Sequence, residues 1–386
     1  MRVALNLEQL LTTPSGGVGR YTAELARLLP ALAAGDADDR VEFVPFVALH
    51  RPPEISAALE AHGVEGVTPI ALPLPRPLLY DAWHVLGRPR LDRLVRRERV
   101  DLVHAPSVAV PPVRTVPLVV TVHDAAPLLF PETYPRRGRR FHERGIAAAA
   151  RRADLVITVS QAAADELDEH TDIPPDRVRV VPNGVDLTVA SDAQVAEMRV
   201  ALDLDDRPYV LWVGSLEPRK DVGTLVESFA RWSRADDPPH RLVLVGAGGW
   251  VEDRERVLSP GRALGERVRT LGRLDGATLR ALYRGSDVLA LPSRHEGFGL
   301  PALEAMAQGT AVIASDIAAV REVTGDAAVL VALGDVDGWV AALTAVIGDH
   351  ERRRDLGEAG RIRAQRYSWE RSATATRDVY REAIAR

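Results

Sequence analysis

Two α/β domains of the Rossmann type, facing each other across a cleft, are what this sequence of 386 residues predicts. Three observations carry that reading. Short β-branched runs alternate with longer helical patterns along the chain. The runs are apolar on both faces, as strands of a parallel sheet covered by helices on each side must be. The alternation also forms two successive series, in a chain long enough for about two domains.

In the first series the strands expected are Val3–Leu7, Val41–Val47, Val100–His104, Leu118–Val122, Leu155–Val159 and Val178–Val181. Helical patterns lie between them at Gly19–Leu32, Leu78–Arg97, Arg139–Arg152 and Gln161–Glu169. The second series offers Tyr209–Val213, Leu242–Val245, Val268–Leu271, Val288–Leu291, Ala311–Ala314 and Val329–Val331. Its helices are expected at Gly223–Arg234, Ala277–Tyr283, Pro301–Gln308 and Trp339–Ile347. The turn Pro182-Asn183-Gly184 and a polar segment after it mark the boundary, giving a first domain over 1–188 and a second over 189–368. A last helix, Ser368–Ala385, follows a long Arg-rich helix and has no strand after it. Residues 369–386 are expected to pack back on the first domain.

Composition narrows the function. With 49 Lys plus Arg against 54 Asp plus Glu, 27% charged and 46% hydrophobic residues, this is an ordinary globular chain. The absence of cysteine excludes disulfides, thiolate metal sites and a cysteine nucleophile. The first strand begins almost at Met1, so no secretory signal is expected, and no apolar run approaches the ~20 residues that span a bilayer. The expected location is cytoplasmic. Charge is uneven, however: residues 70–152 hold fifteen Arg against seven acidic residues. Such a block suits an anionic surface, with a solvated Arg-rich helical face as the bland alternative. Aromatics are not interleaved with it as in a nucleic-acid groove, so no nucleic-acid partner is expected.

Four motifs carry chemistry. Gly16-Gly17-Val18-Gly19-Arg20-Tyr21 opens a helix, where glycines admit a ligand to the backbone and unpaired amides favour an anion. Thr22 stands where a third dinucleotide-fingerprint glycine belongs, which disfavours NAD. Gly214-Ser215-Leu216-Glu217-Pro218-Arg219-Lys220 follows an apolar strand and puts two adjacent cations at its carboxyl end, suited to a diphosphate. The run Glu296-Gly297-Phe298-Gly299-Leu300-Pro301-Ala302-Leu303-Glu304 places two carboxylates about a Gly-Phe-Gly turn and a helix start. Backbone amides there suit sugar hydroxyls or phosphate oxygens; Glu304 has the alternative of a capping role. His123-Asp124 ends a strand, where an imidazole beside a carboxylate can bond a sugar or tune a proton, a structural ring being the alternative.

Other signals fail. Asp36-x-Asp38, Asp203-x-Asp205 and Asp335-x-Asp337 are pairs that chance supplies, and none follows a strand as a metal-dependent transferase needs. Phosphate-loop, zinc-protease and serine-hydrolase signatures are absent.

Taken in order, the Gly16–Tyr21, Val181–Asp186, Gly214–Lys220 and Glu296–Glu304 segments resemble glycosyltransferase family four, with its GT-B fold, over essentially the whole chain. The resemblance implies a retaining, metal-independent enzyme that needs no cofactor. Its donor would be a nucleotide-diphosphate sugar, and its acceptor a glycan or lipid-linked molecule. It further implies that Arg219 and Lys220 neutralise the donor diphosphate and that Glu304 binds the ribose. The donor sugar would be held by Glu296 with Gly297, Phe298, Gly299 and Leu300. Gly16, Gly17, Val18 and Gly214 would approach the donor phosphates, and His123, with Asp124 beside it, would contact the transferred sugar. The stretch His123–Glu132 is similar to one in bacterial mannosyltransferases of polysaccharide assembly, so a GDP-sugar, GDP-mannose above all, is favoured over a UDP-sugar; Ala125-Ala126 replace a bulky apolar residue common there. Basic segments 76–99 and 136–144 would then dock on anionic lipid as a peripheral protein of the inner membrane face. A sugar-nucleotide epimerase and a non-catalytic sugar-nucleotide-binding protein are the alternatives.

Overall fold

The computed structural model describes residues 1–12, 16–32, 40–246, 261 and 264–386. They form two compact units, Met1–Gly184 with Trp369–Arg386, and Val185–Ser368. Each is built on one parallel sheet with helices on both faces.

In the first unit the strands are β1 (Arg2–Asn6), β2 (Glu42–Val47), β3 (Ile70–Ala71), β4 (Leu102–Ala105), β5 (Leu118–Thr121), β6 (Leu155–Thr158) and β7 (Val178–Val180). They lie in the order β3-β2-β1-β4-β5-β6-β7. Alternate residues feed opposite layers, as strand geometry requires. Ala4, Val103, Val120 and Val156 pack with Trp83, Val95 and Ile146 on one face. Val3, Leu102, Val119 and Leu155 pack on the other with Tyr21 and Leu25 of the helix Gly16–Ala31. That second layer is completed by Trp369, Ala373, Tyr380 and Ala383 of the C-terminal helix Trp369–Ala385. Each large side chain so buried contributes roughly 1.5–3 kcal/mol, so the terminal helix is an integral layer of the first unit.

The second unit runs β8 (Tyr209–Val213), β9 (Arg241–Val245), β10 (Val268–Leu271), β11 (Val288–Leu291), β12 (Ala311–Ser315) and β13 (Val329–Val331), in the order β10-β9-β8-β11-β12-β13. Strand order reverses between β1 and β4 in one sheet and between β8 and β11 in the other. Loops leaving the carboxyl ends diverge at such points, and there open parallel sheets take their ligands.

The division falls after Gly184, four residues before the boundary expected at 188. Val185 donates its N–H to the Tyr367 carbonyl at 3.1 Å and bridges to Ser368, which ties it to the second unit. The polar segment beyond it holds a helix, Asp192–Ala201, whose Ser191 and Gln194 form a reciprocal cap; that pairing was the overlooked signal in the sequence. The helix expected at Leu78–Arg97 is broken into Arg76–Asp81, a π-type turn Ala82–Leu86 and Asp92–Glu98. Gly87, at φ +63°, and Pro89 interrupt it. The helix expected from Gly19 begins at Gly16, so the glycines form its first turn.

The aspartate pairs have local roles: Asp205 pairs with Arg241 and Asp203 with Arg269, while Asp335 caps the helix Val336–Gly348. Asp36 and Asp38 lie outside the described residues.

Candidate active site

The loops leaving β8 and β11, the two strands at the switch point of the second sheet, are stapled to each other. Arg294 donates its backbone N–H to the Arg219 carbonyl at 2.8 Å, and Arg219 Nη1 returns a bond to the His295 carbonyl at 2.7 Å. The tight turn Pro218–Lys220 then directs Lys220 inward. Its Nζ sits 2.7 Å from both Glu296 oxygens, and Ser293 Oγ donates to Glu296 Oε1 at 2.7 Å. Arg219 Nη2 lies 3.2 Å from Glu217 Oε2, and Ser215 Oγ donates to the other Glu217 oxygen.

Two cations and two carboxylates are thus gathered in one largely buried cluster, with Glu296 and Lys220 7% and 9% exposed. Burial alone would raise the Glu296 carboxyl. The charges of Lys220 and Arg219, with hydrogen bonds from Lys220 and Ser293, outweigh it and hold the group below the usual glutamate value, ionised at neutral pH. Arg219, Lys220 and Glu296 were legible in the sequence. Glu217 and Ser293 were not singled out there, because only the folded loops show that they charge-balance and orient the others.

Glu304 lies on the helix Leu300–Ala307, half-buried, and accepts from the Tyr283 hydroxyl at 2.8 Å. Gly299 caps the helix at φ +95°, a conformation that excludes a β-carbon without strain. Phe298 is buried edge-on against Tyr367, so this turn presents backbone rather than side chain. Gly214 follows β8 so closely against Gly246 that a β-carbon on Gly246 would meet the Gly214 carbonyl oxygen at 1.8 Å.

In the first unit, Gly16 and Gly17 are exposed and Val18 half-buried at the start of their helix. His123 stands just beyond β5, its Nε2 3.0 Å from the Pro106 carbonyl. A carbonyl only accepts, so Nε2 carries the proton and Nδ1 keeps a lone pair. Burial lowers the His123 pKa despite the Pro106 bond and the charge of Asp124, so the ring is neutral at pH 7. Asp124 Oδ1 accepts from Ala126 N at 3.1 Å and opens the turn Ala126–Leu129. Across the switch point Gln9 Nε2 donates to Ser107 Oγ at 3.0 Å.

The two basic segments of the first unit adjoin: Tyr80 stacks on Phe141 at 5.3 Å, and Arg144 lies 3.9 Å from Asp81. Among the described residues no group of three or more His, Asp or Glu side chains is set to hold a metal. No helix there is long and apolar enough to cross a membrane.

Comparison with known proteins agrees with the motifs. Residues 15–189 match the family described as Glycosyltransferase Family 4, and residues 194–363 that described as Glycosyl transferases group 1. The chain is 30% identical, over 100% of its length and 99% of the relative's, to the MMP alpha-(1->4)-mannosyltransferase of Mycolicibacterium hassiacum. The chain belongs to glycosyltransferase family 4. This glycosyltransferase is also 28% identical to the O-antigen chain mannosyltransferase B of Escherichia coli, over 95% of the chain and 96% of the relative. In fold it is similar to Anabaena Alr3699/HepE, solved in complex with UDP-glucose, with a TM-score of 0.74 at 20% identity over 100% of both chains. Its two Rossmann-like domains are those of the GT-B fold.

Proposed function

We propose that this glycosyltransferase moves mannose from GDP-mannose to a glycan or lipid-linked acceptor, with retention of configuration and without a metal. The observation that carries the donor half of the reading is the Arg219–Lys220–Glu296 cluster at the β8/β11 switch point. Departure of a nucleoside diphosphate builds negative charge on its phosphates and oxocarbenium character on the sugar. Fixed cations beside a fixed carboxylate are what that transition state needs. In this reading Arg219 and Lys220 face the diphosphate, Glu296 and the amides of Gly297 to Gly299 hold the sugar, and Glu304 takes the ribose. The second unit is then the donor domain and the first the acceptor domain. The bond from the anomeric carbon to the β-phosphate oxygen breaks while the acceptor hydroxyl adds on the same face. The hydroxyl proton passes to the departing phosphate oxygen. A covalent sugar adduct on Glu296 or Asp124 would refute that course.

Mannose is favoured by the two mannosyltransferase relatives, and the UDP-glucose complex of the Anabaena protein keeps a UDP-sugar as the second donor to test. A thermal-shift panel of nucleotides and sugar nucleotides decides. Ligand at a hundredfold excess over Kd adds about 2.7 kcal/mol to the folded state, and GDP with GDP-mannose should stand out. A response to UDP compounds alone overturns the donor, and no response to any nucleotide overturns the site. Free epimerised sugar nucleotide, formed without acceptor, would favour the epimerase reading.

We also place the first unit on anionic lipid, as a peripheral protein. Leu78, Val85 and Leu86 are 59%, 59% and 72% exposed. They belong to the first of the two adjoining segments, which together carry the exposed Arg88, Arg90, Arg93, Arg96, Arg97, Arg136, Arg137, Arg140 and Arg144. Exposed apolar residues and cations in one region suit a headgroup layer of opposite charge. The protein should float with anionic liposomes and not with neutral ones; equal behaviour overturns the placement.

A further inference from the structure

The C-terminal helix reaches the ligand edge of the first sheet through buried polar atoms. Tyr380 on that helix places its hydroxyl 2.7 Å from His104 Nδ1. His104 Nε2 lies 2.9 Å from Thr121 Oγ1, and Thr121 Oγ1 lies 3.1 Å from the Tyr21 hydroxyl. Thr376, one helical turn before Tyr380, acts electrostatically on the Tyr21 hydroxyl and donates its own proton to the Ser372 carbonyl at 2.8 Å. All five side chains are fully buried. The path leaves the terminal helix at Tyr380, crosses β4 and β5, and ends on Tyr21 of the helix Gly16–Ala31, which packs against that same terminal helix.

The proton order along it is set at His104: as the Nε2–H tautomer the ring accepts from Tyr380 and donates to Thr121, and as the Nδ1–H tautomer it does the reverse. Burial pulls His104 down to about pKa 3 and pushes Tyr21 up to about 12, so neither titrates in the physiological range.

The near end of this path is His123. His123 lies two residues beyond Thr121, the last residue of β5, and Pro106 two residues beyond His104, just past the end of β4. The Thr121–His104 and His123–Pro106 bonds are consecutive rungs between the same two strand ends. The Tyr21 ring stands perpendicular to the His123 ring at 5.0 Å between centroids and fills its flank. Tyr21 cannot swing away while its hydroxyl is held by Thr121 and its ring is packed under the terminal helix.

We propose that Tyr380 and Thr376 are positioning residues for sugar transfer: the C-terminal helix sets the His123 ring by holding Tyr21 in place. This rests on the reading of His123 as a contact of the transferred sugar, so the test includes a measurement that needs no substrate. Tyr380→Phe and Thr376→Val remove one hydroxyl each and keep the shape, so either serves should the other fail to fold. Val379→Ala, on the same helix but outside the path, is the control for simple loosening. In ¹⁵N NMR of the ligand-free protein, both hydroxyl variants should shift or broaden the His123 ring resonances, and Val379→Ala should leave them in place. Turnover should fall about tenfold with donor KM unchanged, the signature of a misplaced contact rather than lost binding.

Unmoved His123 resonances in both hydroxyl variants overturn the proposal, as does a Val379→Ala protein that moves them equally. If the resonances move as expected while the parent protein transfers no sugar, the positioning stands and the transfer reading falls. If the parent is active and the resonances stay, the reverse holds.

Discussion

Lys220 and Glu296, 76 residues apart in the chain, form a buried two-oxygen ion pair, with Nζ 2.7 Å from each carboxylate oxygen. Neither residue reaches the other unless β8 and β11 are neighbours, so the pair reports the topology of the second sheet as much as its chemistry. Two of the ammonium's three N–H bonds end on Glu296. The carboxylate is fixed in turn, and one contact orients the cation and the acid together.

Removing one member of this pair should be worse than removing both. Lys220→Met or Glu296→Gln alone strands a buried charge and should cost about 3–5 kcal/mol. The double variant should lie well below the sum of the singles. Denaturant midpoints of the four proteins give the coupling directly, and strictly additive losses would show the contact to be energetically idle.

Arg219 acts through its forked shape as well as its charge. Its guanidinium spans the His295 carbonyl and Glu217, a span no single ammonium makes. Arg219→Lys should therefore weaken nucleoside diphosphate binding, by calorimetry, nearly as much as Arg219→Ala, on the order of tenfold. Full affinity in the lysine variant would reduce the residue to a point charge.

Acid should destabilise the first unit before any carboxylate titrates. Burial holds His104 at about 3 and His84 at about 4, against about 6.5 in an unfolded chain. Between those values the unfolded state binds the extra protons, so stability falls as pH drops below about 6.5, by up to about 1.4 kcal/mol per unit for each ring. Glu296 acts lower on the scale: its depressed pKa contributes stability above the ordinary glutamate value, lost as pH falls through the folded value. Urea midpoints between pH 7 and pH 4.5 should fall steadily, and His104→Gln should flatten the slope.

Two glycines of the second unit should respond oppositely to alanine. A β-carbon on Gly357, within the helix His350–Ala364, would meet the Gly309 carbonyl oxygen at 2.1 Å. Overpacking there should cost about 1–3 kcal/mol despite alanine's better helix propensity. Gly348 ends a helix with open space around it, and its replacement should gain up to about 1 kcal/mol. Melting temperatures moving in the same direction would contradict this packing.

Much of this was written in the chain. Both-face apolar runs such as Leu118–Thr121 and Val288–Leu291 exist only to be buried in parallel sheets, so twelve strands could be read from local pattern alone. The two-residue β3 is too short to have a pattern, and the segment from Leu78 to Arg97 looked helical until Gly87 and Pro89 interrupted it. Arg219, Lys220 and Glu296 were visible because their residue types sit just beyond strand ends, where a parallel sheet opens, and Glu304 because it lies on the helix that follows one of those ends.

Sequence alone determined which residues carry charge and which strands are covered, because both follow from side-chain chemistry and a period of two or 3.6. Tertiary structure alone decided who faces whom. That Lys220 rests on Glu296, that Glu217 balances Arg219, and that Tyr380 reaches Tyr21 through His104 and Thr121 depend on strand order and on which sheet face the last helix covers. Those are long-range choices made by burying surface, and no local window of sequence contains them.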